Sequence, residues 1–452
     1  MKKLYIAATL LCFGYILNAQ TLGYNDLGAL FSKENINGTA RYNAMSGAFG
    51  ALGGDLSAME INPAGAAVFL KSEFAISLNN RNTKTIAGFY GNNTQFENDF
   101  TNLSQVGGVF VFRGYGNSSA WSNIALGFNY SIANDFENLW IAEGNSGYST
   151  FTKGYYDIKN NIENAPDIYT NTDGQYFENF MDGKNGKYSF TFAAQHNDNL
   201  YLGAAINTYD IEYYQRTLLE EYNYDNNENN LDASLLQELH TYGNGVSFNF
   251  GAILKPNESI RLGLAYQSPV WYNLAEKYVD EDLILTYSDG NKFISYFDGI
   301  NDYKLRTPSK LTASFAYIFS GNGLVSVDYS LKNYSNVKLS NADFISENQA
   351  FKSNMENVGE LRIGTEWRFD NFSVRGGYHY ENSPYKSSVS SDNLEGFSLG
   401  AGYKFRGGKF DLAYQKSGNT APYNFYPEYN NIDAAELDFD TSTFTATLVL
   451  NL

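Results

Sequence analysis

Every second residue is apolar along run after run of this chain, and no other feature limits its fold so strongly. Ile124, Leu126, Phe128 and Tyr130 alternate with Asn123, Ala125, Gly127 and Asn129. Leu361, Ile363, Trp367 and Phe369 alternate with Arg362, Gly364, Glu366 and Arg368. Phe372, Val374, Tyr378 and Tyr380 alternate with Ser373, Arg375, Gly377 and His379. Successive side chains of a strand point to opposite faces, so each run has one apolar face and one that carries the charge. A helical period would mix the two. The same signal predicts strands at 72–81, 103–113, 121–132, 187–196, 200–213, 242–256, 260–272, 304–319, 323–334, 360–370, 372–381, 396–406, 408–417 and 441–452.

The connections between these fourteen runs alternate in length. Tight turns fall at Asn197-Asp198-Asn199, Pro256-Asn257-Glu258, Gly321-Asn322, Asp370-Asn371 and Gly407-Gly408. Long segments lie between them, at 133–186, 214–241, 273–303, 335–359 and 418–440. A soluble sandwich has no reason to place every long loop at one end, whereas a meander through a membrane does. In the last run, Phe444, Ala446, Leu448, Leu450 and Leu452 share a face opposite Thr443, Thr445, Thr447 and Asn451. Such a strand can close the sheet against the first and leave no free edge. The predicted fold is all-β, a transmembrane antiparallel up-and-down β-barrel of about 14 strands over 71–452, with the charged faces turned inward.

Composition fits that reading and excludes others. The net charge of -18 makes the chain a poor ligand for phosphate backbones, which sets nucleic acid aside. With 37 Tyr, 33 Phe and 41 Gly against 8 Pro, it suits aromatic girdles around a polar interior. Met1-Lys2-Lys3, the apolar run Leu4 to Leu17 and Asn18-Ala19-Gln20 read as a signal peptide over 1–19. The run is short for a transmembrane helix. Cys12, the only cysteine, lies inside it, so disulfides and thiolate metal sites are not expected. Cleavage would take the net charge to about -20.

Residues 20–70 do not alternate. They carry Gly38-Thr39-Ala40-Arg41, a glycine-rich stretch from Met45 to Asp55, and Asn62-Pro63-Ala64-Gly65-Ala66. Gly47, Gly50, Gly53 and Gly54 are no nucleotide loop, since no strand precedes them and no Gly-Lys-Ser/Thr follows. About fifty residues without disulfides make a marginal core alone, so a place inside the barrel as a plug is expected.

Gly38 to Ala66, ending in Asn62-Pro63-Ala64, resembles the N-terminal hatch of the FadL/TodX family of outer-membrane transporters. Further similarity lies in Gly263-Leu264-Ala265-Tyr266-Gln267-Ser268-Pro269, Pro308-Ser309, Val327-Asp328-Tyr329-Ser330 and Arg362-Ile363-Gly364-Thr365-Glu366, and the resemblance covers nearly the whole mature chain. It implies a fourteen-stranded barrel in the bacterial outer membrane, with the hatch inside the lumen. It also implies a hydrophobic ligand, long-chain fatty acids in some members and aromatic hydrocarbons in others. Such a ligand would be caught among extracellular loops and released sideways through a gap at the third strand, where Gly127 is the candidate weak point. Lateral release suits an apolar ligand, which gains by entering lipid. The entrance loops would be 214–241 and 273–303. In the first, Leu231, Leu235, Leu236 and Leu239 recur at roughly helical spacing. In the second, Leu283, Ile284, Leu285, Phe293, Ile294, Tyr296 and Phe297 flank a hairpin-like Ser288-Asp289-Gly290-Asn291. Apolar loops of this kind either pack on one another or hold a ligand.

Catalytic and metal chemistry find little support. His196, His240 and His379 fall on separate parts of the predicted barrel, so no metal site, haem or catalytic triad is expected. Glu220, Glu221, Asp225, Glu228 and Asp232 lack the spacing of a calcium loop and suit solvent or the cations that bridge lipopolysaccharide. Inward Asp328, Lys332, Arg362, Glu366, Arg368 and Arg375 are expected to form ion pairs holding hatch to wall. The expectation is a cofactor-free monomer in contact with lipid and lipopolysaccharide that is not an enzyme. Its rival is a barrel of similar build that serves as a binding or assembly component of a secretion or surface-export system.

Overall fold

The computed structural model describes residues 21–113, 120–162, 164–320 and 322–452, without the side chains of 113, 278–281 and 297. The expected leader 1–19, its cleavage point and Cys12 lie outside the described residues. Eighteen strand segments form one antiparallel sheet. The first is β1 (Glu73–Phe89), followed by β2 (Asn92–Arg113), β3 (Trp121–Asp135), β4 (Asn138–Gly144) and β5 (Asn171–His196). Then come β6 (Leu200–Tyr224), β7 (Asn230–Leu254), β8 (Ile260–Gln267), β9 (Trp271–Tyr287) and β10 (Lys292–Arg306). β11 (Lys310–Phe319), β12 (Gly323–Asn333), β13 (Lys338–Ser340) and β14 (Asn357–Phe369) lead to β15 (Phe372–Glu381), β16 (Leu394–Phe405), β17 (Gly408–Tyr423) and β18 (Ala435–Asn451).

Four pairs of segments are single staves with a break. β3 and β4 share β5 as a neighbour, β8 and β9 share β7, β10 and β11 are joined through Thr307-Pro308-Ser309, and β12 and β13 flank the turn Tyr334–Asn336. The wall therefore has fourteen staves, and it closes where β1 pairs with β18 from Glu73↔Asn451 to Gly88↔Glu436. Closure joins the first stave to the last, which is why a sheet can cross a membrane at all. All fourteen expected runs fall on these staves, in order.

The staves run well past the alternating stretches. β5, β6 and β7 are 26, 25 and 25 residues long, whereas crossing a bilayer takes about ten. Outward positions are apolar at Phe74, Ile76 and Leu78 of β1 and at Phe110 and Phe112 of β2. Beyond them the same face turns polar, at Asn80, Asn82 and Lys84 and at Asp99, Glu97 and Gln95. The sheet thus projects beyond the apolar band at the end opposite the tight turns. This corrects the loop reading of 214–241 and 273–303, both of which are strand hairpins, β6–β7 and β9–β10. The helical reading of Leu231, Leu235 and Leu239 is corrected too, because steps of four satisfy a period of two as well as a helical one. These three face inward on β7 and Leu236 faces the other way. The second hairpin does turn at Ser288-Asp289-Gly290-Asn291, with Gly290 at φ 87.

Residues 21–70 fold inside the barrel as short helices, α1 (Tyr24–Leu30), α2 (Ala40–Asn43) and α3 (Ala58–Ile61), and a 3-10 turn Pro63–Val68. The wall admits them through inward-facing glycines. A Cβ on Gly203 would lie 2.4 Å from the Ala64 nitrogen, one on Gly263 2.4 Å from the Gly50 carbonyl oxygen, and one on Gly400 2.4 Å from the Ala44 Cβ. Asn62 sits against Gly251; its side-chain amide donates to the Gly50 (2.7 Å) and Ala252 (3.1 Å) carbonyls while its oxygen accepts from Ala64 N (3.1 Å). The Asn-Pro-Ala sequence therefore caps the 3-10 turn and ties it to the wall with one side chain. Gly203→Val is expected to dislodge this turn, costing about 1–3 kcal/mol from overpacking. Limited proteolysis of the folded barrel should then cut within 21–70 at protease levels that spare the unaltered chain.

Candidate functional site

One stave is broken in a way the others are not. The breaks at Ser268-Pro269-Val270 and Thr307-Pro308-Ser309 lie side by side and are stitched, with Thr307 N donating to the Val270 carbonyl (3.0 Å) and Val270 N to Thr307 Oγ1 (2.9 Å). Between β2 and the β3/β4 stave, however, the ladder ends at Gln105↔Ser131. Above that point β3 bulges against β5 between Ile132 and Asn134, and Phe136 and Glu137 leave the sheet.

Backbone groups freed by such a break need partners. On the lumen side the N-terminal segment supplies them. Asn35 N donates to the Ala133 carbonyl (2.8 Å) and Asn37 Nδ2 to the Ile132 carbonyl (3.0 Å); in the other direction, the stave's Asn134 Nδ2 donates to the Leu30 carbonyl (3.0 Å). Toward β2, side chains alone bridge the seam among the described residues. Thr94 donates to the Ile141 carbonyl, Asn98 Nδ2 to the Leu139 carbonyl (3.1 Å), and Asn102 Nδ2 to Asp135 Oδ2 (3.0 Å). Arg81, from β1, reaches across to Asp135 Oδ1 (3.0 Å) and to the Asp135 (3.3 Å) and Glu137 (3.0 Å) carbonyls. This seam sits at the upper edge of the apolar band, beside the outward Leu103 and Tyr130.

Gly127 is not at the seam. It is in register with Val109 on one side and Thr191 on the other, and the absence of a side chain makes room for Met59 of the N-terminal segment. The stretch without a ladder to β2 is 132–144, although most of it still pairs with β5. A phase slip could have revealed it. Outward residues are even-numbered through Ile124, Leu126 and Phe128 but odd-numbered at Leu139 and Ile141, so an extra residue enters between.

A cavity of about 1220 Å³ lies behind the seam. Asn134, Asp135, Phe136, Glu137 and Asn138 of the broken stave border it, with Leu22, Leu30, Met181 and Phe439 supplying apolar wall. It reaches exposed Asn382, Ser387, Pro422 and Asn424 between the connections after β15 and β17. The leucines expected at the entrance lie elsewhere. Leu231, Leu235, Leu283 and Leu285 are buried in one cluster with Trp140, Phe177 and Phe425, and Phe293 packs at its margin. Leu239 belongs to a lower cluster with Leu27 and Phe31, Leu236 faces outward, and the Phe297 side chain lies outside the described residues. Trp140 alone of the first cluster's largest side chains also faces the cavity.

Two further polar features position these parts. Glu221, read in the sequence as one of a solvated acidic run, is fully buried; its carboxylate accepts from Thr150 N (2.6 Å), Thr150 Oγ1 (2.9 Å) and Tyr426 Oη (2.8 Å), tying two outer connections together. The inward charges grip the N-terminal segment. Glu366 takes Arg41 Nε at 2.6 Å and Arg375 Nε at 2.8 Å, Arg375 also holds Asp411 (2.6 Å), and Gly50 N donates to Asp328 (2.8 Å). Arg362 bonds Glu360 and the Tyr42 hydroxyl (2.9 Å), Lys187 meets Glu60 (3.2 Å), and Lys310 meets Glu34 (3.1 Å). Arg368 is half exposed and joins only through Glu366. Burial pushes the Tyr42 hydroxyl up to about 12, and it raises the Asp55 carboxyl despite the neighbouring Arg41. The described residues hold no cluster of His, Cys, Asp and Glu suited to a metal ion.

The fold has close counterparts among solved structures. It superposes on a FadL homologue of Pseudomonas aeruginosa with a TM-score of 0.59, at 14% identity, covering 93% of this chain and 99% of that one. The toluene transporter TodX of P. putida gives a TM-score of 0.56 at 14% identity, covering 92% and 99%. The CymD monoaromatic hydrocarbon channel gives 0.54 at 14%, covering 93% and 99%. At such identity these likenesses establish the barrel architecture. No curated protein sequence matches the chain. The family model described as outer membrane protein transport protein (OMPP1/FadL/TodX) matches residues 167–421, more than half of the sequence. This chain is a β-barrel of the bacterial outer membrane and belongs to the OMPP1/FadL/TodX family of outer membrane transport proteins.

Proposed function

We propose that this protein is a passive channel for hydrophobic compounds, with residues 21–70 as its plug and the β2–β3/β4 seam as a lateral exit into lipid. The observation that carries the reading is the unladdered seam at the edge of the apolar band, directly in front of a 1220 Å³ cavity. Solved barrels of the same fold are a toluene transporter and a monoaromatic hydrocarbon channel, and family members are transport channels rather than enzymes. A straight path through the lumen is unattractive for such cargo, because the plug lies across it and the far side is water. The cavity and seam lie within one chain, which suits a monomer ringed by lipid and lipopolysaccharide. The test is initial-rate uptake of labelled toluene and of a labelled long-chain fatty acid by cells with and without the barrel, alongside swelling of barrel-containing vesicles in small sugars. The reading expects faster hydrophobic uptake and no swelling. Sugar swelling without hydrophobic uptake would mark a polar porin instead.

A further inference from the structure

The cavity lining is unevenly charged. Eight carboxylate side chains border it against two cations, Lys33 and Arg81. Arg81 pairs with Asp135, and Glu34, Glu360 and Glu381 pair with cations of the wall. Asp26, Glu137 and Asp392 have no cation within 4.0 Å among the described residues; Lys33 is the lining cation not already ion-paired there, and Arg81 acts on Glu137 only from its pair with Asp135. Asp26 accepts from a tyrosine hydroxyl, Tyr385 (2.8 Å), and Asp392 from the Thr420 hydroxyl (2.6 Å) and Val389 N (2.8 Å), so neutral donors alone face these two carboxylates among the described residues.

The unsatisfied polar atoms facing this space tell the same story. Among the described residues, Asn79 Oδ1, Glu137 Oε2 and Glu360 Oε2 are buried acceptors with no donor, against one unpartnered donor, Arg81 Nε, and the His379 ring nitrogen Nδ1, which takes either role with its tautomer. A buried acceptor left without a donor costs free energy that a ligand hydroxyl can recover. A ligand carboxylate brings more acceptors and a charge of the wrong sign into a site that already holds unpaired carboxylates. Apolar Leu22, Leu30, Phe136, Met181, Leu437 and Phe439 supply the remainder of the surface.

From this geometry we infer that the cavity selects uncharged apolar molecules carrying a hydroxyl group, phenols or alcohols, over free carboxylates. Burial and the neighbouring Asp135 push the Glu137 carboxyl up to about 7, as expected where cations are scarce. The inference rests on the channel reading, and its test separates the two.

Calorimetric titration of the full chain, in detergent with matched blanks, would compare 4-ethylphenol, 4-ethylbenzoate and ethylbenzene. The expected order is phenol first, hydrocarbon second and benzoate last, with phenol at least about tenfold tighter than benzoate. Glu137→Gln and Asp392→Asn are each expected to narrow that gap by improving benzoate binding, and Lys33→Met to widen it. Benzoate binding as tightly as phenol, with ethylbenzene also bound, would overturn the selectivity and leave the channel intact. Failure of all three compounds to bind would overturn both. Agreement between the two carboxylate variants keeps the result independent of any folding defect in one of them.

Discussion

Glu366→Ala is expected to destabilise the barrel by about 3–5 kcal/mol, the cost of stranding buried charge. Its carboxylate is 1% exposed and neutralises Arg41 and Arg375, themselves largely buried, as well as the outer Arg368. Without it Arg375 keeps Asp411, but Arg41 loses its ion pair and keeps the Gly54 carbonyl (3.2 Å), a contact over the Phe49 ring and the more distant charge of Asp55. Arg41→Met removes one charge and leaves Glu366 with two arginines, so its effect should be clearly smaller. Thermal unfolding in detergent, followed by far-ultraviolet circular dichroism, would rank the two. Equal shifts, or none for Glu366→Ala, would mean that the network does not anchor the N-terminal segment. The same substitution should also raise single-channel conductance in planar bilayers, because a loosened segment no longer fills the lumen.

How much of this was legible in the sequence follows from what each feature depends on. A lipid-facing band imposes a period of two wherever chain and lipid meet, so Phe74, Phe128, Phe190 and Trp367 declared their strands directly. Beyond the band the outward face is polar and the inward face apolar. The pattern there inverts and dilutes, and the outer parts of β5 to β7, within 133–186 and 214–241, looked like loops. Leu231, Leu235 and Leu239 suit either period, and only their pairing partners on β6 and β9 decide between them. The Asn-Pro-Ala turn was visible because capping chemistry is local, whereas the glycine notches that seat it, Gly203 and Gly251, look like ordinary weak points in a strand. The site was the least legible part. Its seam is held by Arg81, Asn98, Asn102 and Asp135, residues that are unremarkable until the fold brings three staves together. The phase slip between Phe128 and Leu139 was the one local trace of it.

That seam gives the sharpest test of the proposed route. Asn98 and Asn138 face one another across it, with Asn98 Nδ2 3.4 Å from Asn138 Oδ1, and neither belongs to a backbone ladder between the two staves. Cysteines at both positions, in a chain whose only native cysteine is Cys12, can be joined by a short bifunctional thiol reagent. Joining them should cut uptake of a labelled hydrophobic compound by about tenfold or more while the barrel stays folded. An apolar cargo favours lipid over water by about 0.8 kcal/mol per CH₂, so an exit into water cannot replace a blocked exit into the bilayer. A pair joining β1 to β2 at Asn80 and Thr101, where the ladder is continuous, serves as the control. Joining that pair adds a link to a wall that is already sealed and should leave uptake unchanged. The opposite mutation sharpens the comparison. Arg81→Ala removes three bonds to the broken stave and should speed uptake, because the seam opens more often. Full uptake through a demonstrably crosslinked seam would rule out the lateral exit, and a path through the lumen past residues 21–70 would then have to carry the cargo.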